Sequence, residues 1–353
     1  MTTIKSNLLI LLILPWIAIA GDLKGKYKKE RSIHKSYTVS NNAALDIENK
    51  YGNVFVTTWD QNTTEIDVVI KVGGDNEKKV NAKFNAIDVA FSATQAHVSA
   101  VTKIGDIASG SNSNIQIQIN YTVKIPKKGT VKIENQYGGI QTGKIYGKAV
   151  LNCQYGDLNA DELNANGNSI RLQYCGSAKV NSMGSGNVVV QYSQFHLGRG
   201  TSLQLDADYS GIVINDVKNL SFSSDYGEVK IENAGAITGK GDYSSLKLGR
   251  VNELLNLTAE YGDIIVETFD KKVRNIAINS SYTNILLGFY EEYPFDFELS
   301  TEYAGVFGTA GFKFTEKIQK NNNNYYKGYY KNSGENKVYI KSEYGNIQFM
   351  KDK

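Results

Sequence analysis

Ten side chains that each precede a tyrosine are the best placed in this sequence to act together chemically. They read Gln136, Gln154, Gln173 and Gln191, then Asp208, Asp225, Asp242 and Glu260, and later Glu302 and Glu343. If such positions lie above one another, the amides can hydrogen-bond along a ladder. The carboxylates then sit about 5 Å apart, where like charges raise one another's pKa or draw in a cation. Asp208, Asp225 and Asp242 are the candidate metal site, for weakly held Ca²⁺. The competing reading is a row of solvated, screened carboxylates.

Other chemistry finds little support. His34, His97 and His196 lie far apart, with no metal-ligand spacing. His196, between Phe195 and Leu197, reads as a turn or face residue. There is no Gly-x-Ser-x-Gly elbow, and Gly239-Lys240-Gly241 lacks the further glycine and hydroxyl of a phosphate loop. The expectation is a chain without catalytic residues or cofactor. A binding loop is the other candidate: Asn321 to Asn324 lead into Tyr325, Tyr326, Tyr329 and Tyr330, a polar stretch that reads as a projecting loop or as a hairpin within a coil. Cys153 and Cys175 invite a disulfide in an exported protein. The repeat places one two residues before its tyrosine and the other one after, an offset of about 10 Å at strand rise. A disulfide cannot span that, so free thiols are expected.

The element that must position these groups is a repeat. Tyrosines followed by Gly or a small residue recur at Tyr51, Tyr137, Tyr155, Tyr174, Tyr192, Tyr209, Tyr226, Tyr243, Tyr261, Tyr282, Tyr303 and Tyr344. From Tyr137 to Tyr303 the steps are 18, 19, 18, 17, 17, 17, 18, 21 and 21, and the final gap of 41 equals two periods. Within one copy Leu203, Leu205 and Ala207 alternate with polar residues, the period of a half-buried strand. Ser210-Gly211 then turns the chain, and Ile212 and Ile214 resume in the opposite phase. About 18 residues at about 3.3 Å each close a path of roughly 60 Å, one turn of a small β-solenoid. An antiparallel meander would need more than twenty strands in one open sheet, beyond the usual size. Tyr209 continues the parity of Leu203 and Leu205, which predicts rings stacked on the inward side; the alternative is an exposed strip that grips sugar rings.

The ends differ from the repeat. Lys5, the apolar run from Leu8 to Ile19 and Ala18-Ile19-Ala20 spell a cleavable signal peptide over 1–20, too short to span a bilayer. Export places the mature chain in the periplasm, at the outer membrane or outside the cell, and no later stretch is a transmembrane segment. Residues 21–35, with five lysines, read as a mobile basic leader. Residues 36–130 read as a strand-rich capping subdomain with one short helix, Asp75 its N-cap and Val80 and Phe84 on one face. A Gly/Ser/Asn loop is expected from Gly105 to Asn114. Residues 131–350 are the Tyr-Gly repeat solenoid, so the fold class is all-β. A net charge of +3 spread without a basic stripe argues against nucleic acid.

The order of signal peptide, strand, short helix and strand pair, then Tyr121-Thr122-Val123-Lys124-Ile125-Pro126, then glycine-marked β-repeats resembles the putative-adhesin β-strand-repeat family of bacterial envelope proteins, over roughly residues 44–350. That resemblance implies a β-solenoid at the envelope or surface and brings no catalytic residues. The Tyr-Gly form here departs from the family's plainer Asn-Gly or Gly-rich repeats. Three functions follow as expectations. The first is an adhesin-like or structural envelope protein that meets an unknown protein or glycan. The second is a periplasmic sensor or scaffold acting through its N-terminal part. The third is a polysaccharide-active β-helix enzyme, which needs a positioned acid/base pair, or Ca²⁺ beside Arg or Lys. Only Arg199 and Arg250 approach the acidic row.

Overall fold

A computed structural model describes residues 23–105, 114–334 and 336–352. The signal peptide expected over 1–20 and most of the Gly105–Asn114 loop lie outside the described residues. The strands described form one hydrogen-bonded sheet of 24, wound as a β-solenoid. Among the described residues no helix is long and apolar enough to cross a membrane.

One coil, Gly211–Asp225, shows how the sequence winds. Ile212, Ile214, Val217, Leu220, Phe222 and Ser224 are buried, at steps of two along the flats and three where the path bends. Each coil pairs in parallel with the next, so Leu203 lies on Leu220 and Leu220 on Ile237. Burying each aliphatic of these columns contributes about 1.5–3 kcal/mol. Repeat length varies without breaking the columns, because the eighteenth residue of the next coil forms a bulge opposite Ala234 and Ala236. Columns also fit by size. A Cβ on Gly239 would lie 2.1 Å from the Phe222 ring, which occupies that space.

The N-terminal part continues the same stack. Its elements are β1 (Tyr27–Thr38), β2 (Ala44–Lys50), β3 (Val54–Trp59), β4 (Thr63–Gly74), α1 (Glu77–Asn85), β5 (Ile87–Ala93), β6 (His97–Ile104) and β7 (Gln116–Pro126). β2 and β3 flank Tyr51 as a complete corner and pair in parallel with Val131–Gln136 and Ile140–Thr142. The first coil therefore lies inside the expected capping subdomain, and the boundary at 130 is no boundary in space. β6 and β7 extend the two flats in parallel. β5, β4 and β1 then add antiparallel strands that end the stack.

Two local expectations need correction. Residues 27–35 of the basic leader belong to β1, paired along its length with β4; Ile33 and Tyr37 turn toward the core while the lysines occupy the free edge. Lysines there discourage further strand addition. The helix cap is Asn76, whose side chain accepts from the Lys79 amide at 3.0 Å, while Asp75 accepts from the Lys26 amide at 3.2 Å. Under the first corners lies a polar plug: Thr102 Oγ1 donates to Asn49 at 2.8 Å and meets the Tyr121 hydroxyl at 2.7 Å. Burial pushes the Tyr121 pKa up to about 12.

At the other end, chain order and spatial order part. The strand Asn275–Tyr290 pairs in parallel with Lys337–Glu343 and Ile347–Asp352. Phe295–Glu302 pairs with the far side of Lys337–Glu343. Residues 337–352 thus form a coil sandwiched between two coils that precede them in sequence. The hairpin Phe312–Lys320 and Asn323–Tyr330 closes the end, antiparallel to Phe295–Glu302. Tyr293 reaches across this region, buried, and its hydroxyl donates to the Val273 carbonyl at 2.6 Å. Its ring packs on Phe295, tilted, and Phe289 and Phe312 meet Phe295 and Phe349 edge to face.

Candidate functional site

The twelve repeat tyrosines share one backbone state: φ lies between +48° and +62° from Tyr51 through Tyr344. Bulky residues rarely adopt this left-handed conformation, at a cost of about 1–2 kcal/mol each. It reverses the direction in which the side chain leaves the corner. Tyr209 therefore points out, although strand parity predicted the inward side. All twelve are 39–53% exposed. The corner keeps its ladder all the same, since the Tyr209 amide donates to the Asp225 carbonyl of the next coil at 2.9 Å. The residue after the tyrosine completes the turn. A Cβ on Gly138 would lie 2.0 Å from the Gly52 carbonyl, so the coils approach too closely there for any side chain. In other coils a hydroxyl serves instead: Ser210 Oγ donates to the Asp208 carbonyl at 2.6 Å and accepts from the Ser193 amide at 3.2 Å.

Outward rings in register make a ridge. Successive centroids are 4.7–5.2 Å apart and successive planes within 9° of parallel, from Tyr51 on Tyr137 to Tyr344 on Tyr303. Eleven such steps give a length of about 54 Å, set by the strand spacing of the sheet. Each interior ring has both faces covered by its neighbours, so a sugar ring finds no free face to stack on within the ladder. What meets solvent is a line of ring edges and hydroxyls. Neighbouring rings and nearby carboxylates push the phenols of Tyr243 and Tyr344 above the usual range, burial by neighbours first.

The row beside the ridge is built as the spacing predicted. Gln136 Nε2 donates to Gln154 at 2.8 Å, and Gln154 Nε2 to Gln173 at 2.7 Å. Asp208, Asp225 and Asp242 follow in register. The pKa of Asp225 is raised, first by burial and then by the Asp242 and Asp208 carboxylates. Asp242 is tied to Lys240 at 2.8 Å. Among the described residues no three His, Cys, Asp or Glu side chains come together as a metal site. Asp208, Asp225 and Asp242 thus lie one strand apart in a row, as the Ca²⁺ expectation placed them.

The other candidates are placed elsewhere. Tyr325, Tyr326, Tyr329 and Tyr330 do not project; they lie on the strand Asn323–Tyr330, with Tyr326 and Tyr330 buried. His34, His97 and His196 remain apart, partnered with Asp67, Asp46 and Asn215. Cys153 and Cys175 are free and buried, as expected. They are nearer than the strand offset predicted, because the corner folds back: Cys175 Sγ reaches the Cys153 carbonyl at 3.3 Å. The neighbouring Cys175 thiol, with burial, pushes the Cys153 thiol up.

Shallow grooves run along the ridge. One of about 240 Å³ lies on the amide side, between Gln136, Gln154, Gln173 and Arg171. Another of about 410 Å³ lies beside Tyr209 and Tyr226, floored by Gly211 and Ile212 and bounded by Gln194 and Glu228. This arrangement offers a long contact surface.

A family model described as Toastrack DUF4097 matches residues 20–349. Among solved structures, the chain is similar to a putative cell adhesion protein from Clostridium sporogenes, at 11% identity over 92% of this chain and 100% of that one, with a TM-score of 0.20. It is also similar to a putative adhesin from Parabacteroides merdae (10% identity, 91% and 96% covered, TM-score 0.33). A putative lipid binding protein from Parabacteroides distasonis matches at 11% identity, with 93% and 100% covered and a TM-score of 0.34. No curated protein matches the chain.

Proposed function

We propose that this chain, which belongs to the Toastrack DUF4097 family, is an exported, non-catalytic binding scaffold of the cell envelope, adhesin-like in its use of a long repetitive surface. The observation that carries this reading is the ridge. Twelve tyrosines hold a strained backbone state and are each still about half exposed. Half of a tyrosine is about 100 Å², so the strip exposes on the order of 1,000 Å² of tyrosine surface. Monomers rarely expose contiguous patches beyond a few hundred Å², and larger ones mark interaction sites. A strained conformation at the same place points the same way. The signal-peptide pattern read over 1–20 supports export, and the in-register acidic row and scattered histidines support a role without chemistry. The partner meets edges and hydroxyls at a 4.7–5.2 Å pitch, which suits a repetitive protein or glycan surface.

The test replaces Tyr192, Tyr209 and Tyr226 with Asn, which tolerates the left-handed corner and can form its own side-chain ladder. Wild type and variant, both checked by circular dichroism, are probed on a glycan array and against purified envelope material. Capture by wild type and a loss of at least about tenfold in the variant, a difference of about 1.4 kcal/mol, is expected. Equal capture by both sinks the ridge as the contact surface.

A further inference from the structure

We infer that the tyrosine ridge is self-complementary and pairs with the ridge of a second copy of this chain, antiparallel, about a two-fold axis near Tyr209 and Tyr226. This inference rests on the ridge being the contact surface and names its partner.

Four observations converge on that partner. The first is pitch. A partner must match a repeat of 4.7–5.2 Å over twelve rings, and an identical ladder does so by construction. Identical side chains on facing sheets interdigitate into dry zippers for this reason. The second is shape. A ridge needs a groove, and one of about 240 Å³ lies on the amide side of the ridge, lined by Lys50, Gln136, Gln154, Gln173 and Arg171. Two copies can therefore lie side by side, each ridge in the other's groove, which is the isologous arrangement of a two-fold dimer.

The third is charge. Tyr209 and Tyr226 are the sixth and seventh rings of the ladder, so its midpoint falls between them. On one side the flanking row is Lys50, four glutamines and Asp208. On the other it holds Asp225, Asp242, Glu260, Glu343 and Glu302, with Ser281 as its sole uncharged member. A parallel pairing sets carboxylates against carboxylates. An antiparallel one sets the acidic half against the amide half and brings Lys50 toward Glu302, leaving Asp208 against Asp225 at the axis as its one facing carboxylate pair. The fourth is area. The twelve tyrosines expose on the order of 1,000 Å² per copy, enough to supply most of the roughly 800 Å² per partner that a standard stable interface buries.

Sedimentation equilibrium of the full mature chain, over about 1–100 µM, tests this with two variants. Wild type is expected to dimerise. The Tyr192, Tyr209 and Tyr226 to Asn variant is expected to be monomeric. Tyr209→Asp, which adds carboxylates to those of Asp208 and Asp225 near the axis, should weaken the dimer at least tenfold, less so at high salt. Aspartate is accepted at such a left-handed corner. If the triple variant fails to fold, the single Asp variant decides alone. A monomeric wild type overturns the inference. If ridge-dependent capture of glycan or envelope material persists in that case, the ridge still stands as a contact surface for another partner. A dimer that survives both variants overturns the inference too, since its interface lies elsewhere. Loss of both dimer and ridge-dependent capture removes the two readings together.

Discussion

Substituting Tyr209 separates what its backbone and its ring each contribute. Its ring lies between Tyr192 and Tyr226 at 5.1 and 4.8 Å. Tyr209→Asn loses two stacked contacts, about 0.5–1.5 kcal/mol each beyond burial, but relaxes the corner by about 1 kcal/mol. Tyr209→Val loses the same contacts and keeps the strain. Chemical denaturation should therefore rank Val below Asn by about 1–2 kcal/mol, even though Val is the better strand former. The reverse order would refute the strained-corner account. The acidic row gives a second expectation. Because the Asp225 pKa is raised in the folded chain, its contribution favours folding below its unfolded value and fades as pH rises through the folded one. Asp225→Asn should thus raise the melting temperature at pH 7 and do little at pH 3; an unchanged midpoint at pH 7 counts against the repulsion. At this scale the sequence disclosed which residues form columns, since side-chain identity and spacing suffice for that. It concealed the direction of the rings. Extending strand parity through Tyr209 assumes an extended backbone, and a tyrosine gives no local sign that it will leave one.

Between coils, fit depends on pairs that no single repeat contains. Phe222 fills the place that a Cβ on Gly239 would need. Gly239→Ala should cost about 1–3 kcal/mol by overpacking, and Phe222→Leu in the same chain should recover most of it. Additive losses in that double variant would show that the two sites do not share space. Strands with clean alternation were legible, as in Leu203 to Ala207, because burial on one face writes itself as period two. The tyrosine-rich segment 323–330 was legible in part: of its two readings, projecting loop and hairpin, the structure has the hairpin, with Tyr326 and Tyr330 facing inward while the half-buried Tyr325 and Tyr329 alternate with them. β1 was not legible: its lysines suggested a leader because an edge strand carries charge on its free side.

Taken whole, the molecule is a single column of coils with insertions at both ends. The period announced the column; the 41-residue gap, which equals two periods, holds the antiparallel hairpin Phe312–Lys320 and Asn323–Tyr330 in place of a second coil, and nothing in it says which neighbouring coil lies inside. No local signal could, because Phe295–Glu302 and Lys337–Glu343 carry similar inward residues: Phe297 and Leu299 align with Val338 and Ile340. The arrangement predicts the behaviour of a nicked chain. Lys337–Glu343 is paired on both sides and Ile347–Asp352 along its length on one, so cleavage within 331–336 should leave the two pieces co-eluting under native conditions and separating in denaturant. Dissociation of the short piece without denaturant would contradict the sandwiched coil.

That sandwich bears on how the protein is made. The coil around Tyr344 leaves the ribosome after the coil that covers it, so the stack cannot be finished by laying down layers in the order of synthesis. Residues 295–330 must wait, undocked, until the later segment has settled on Asn275–Tyr290. Maturation thus carries an obligatory delay at one end, during which a bare sheet edge and the aromatic cluster stand open to chaperones, to quality-control proteases or to a neighbouring chain.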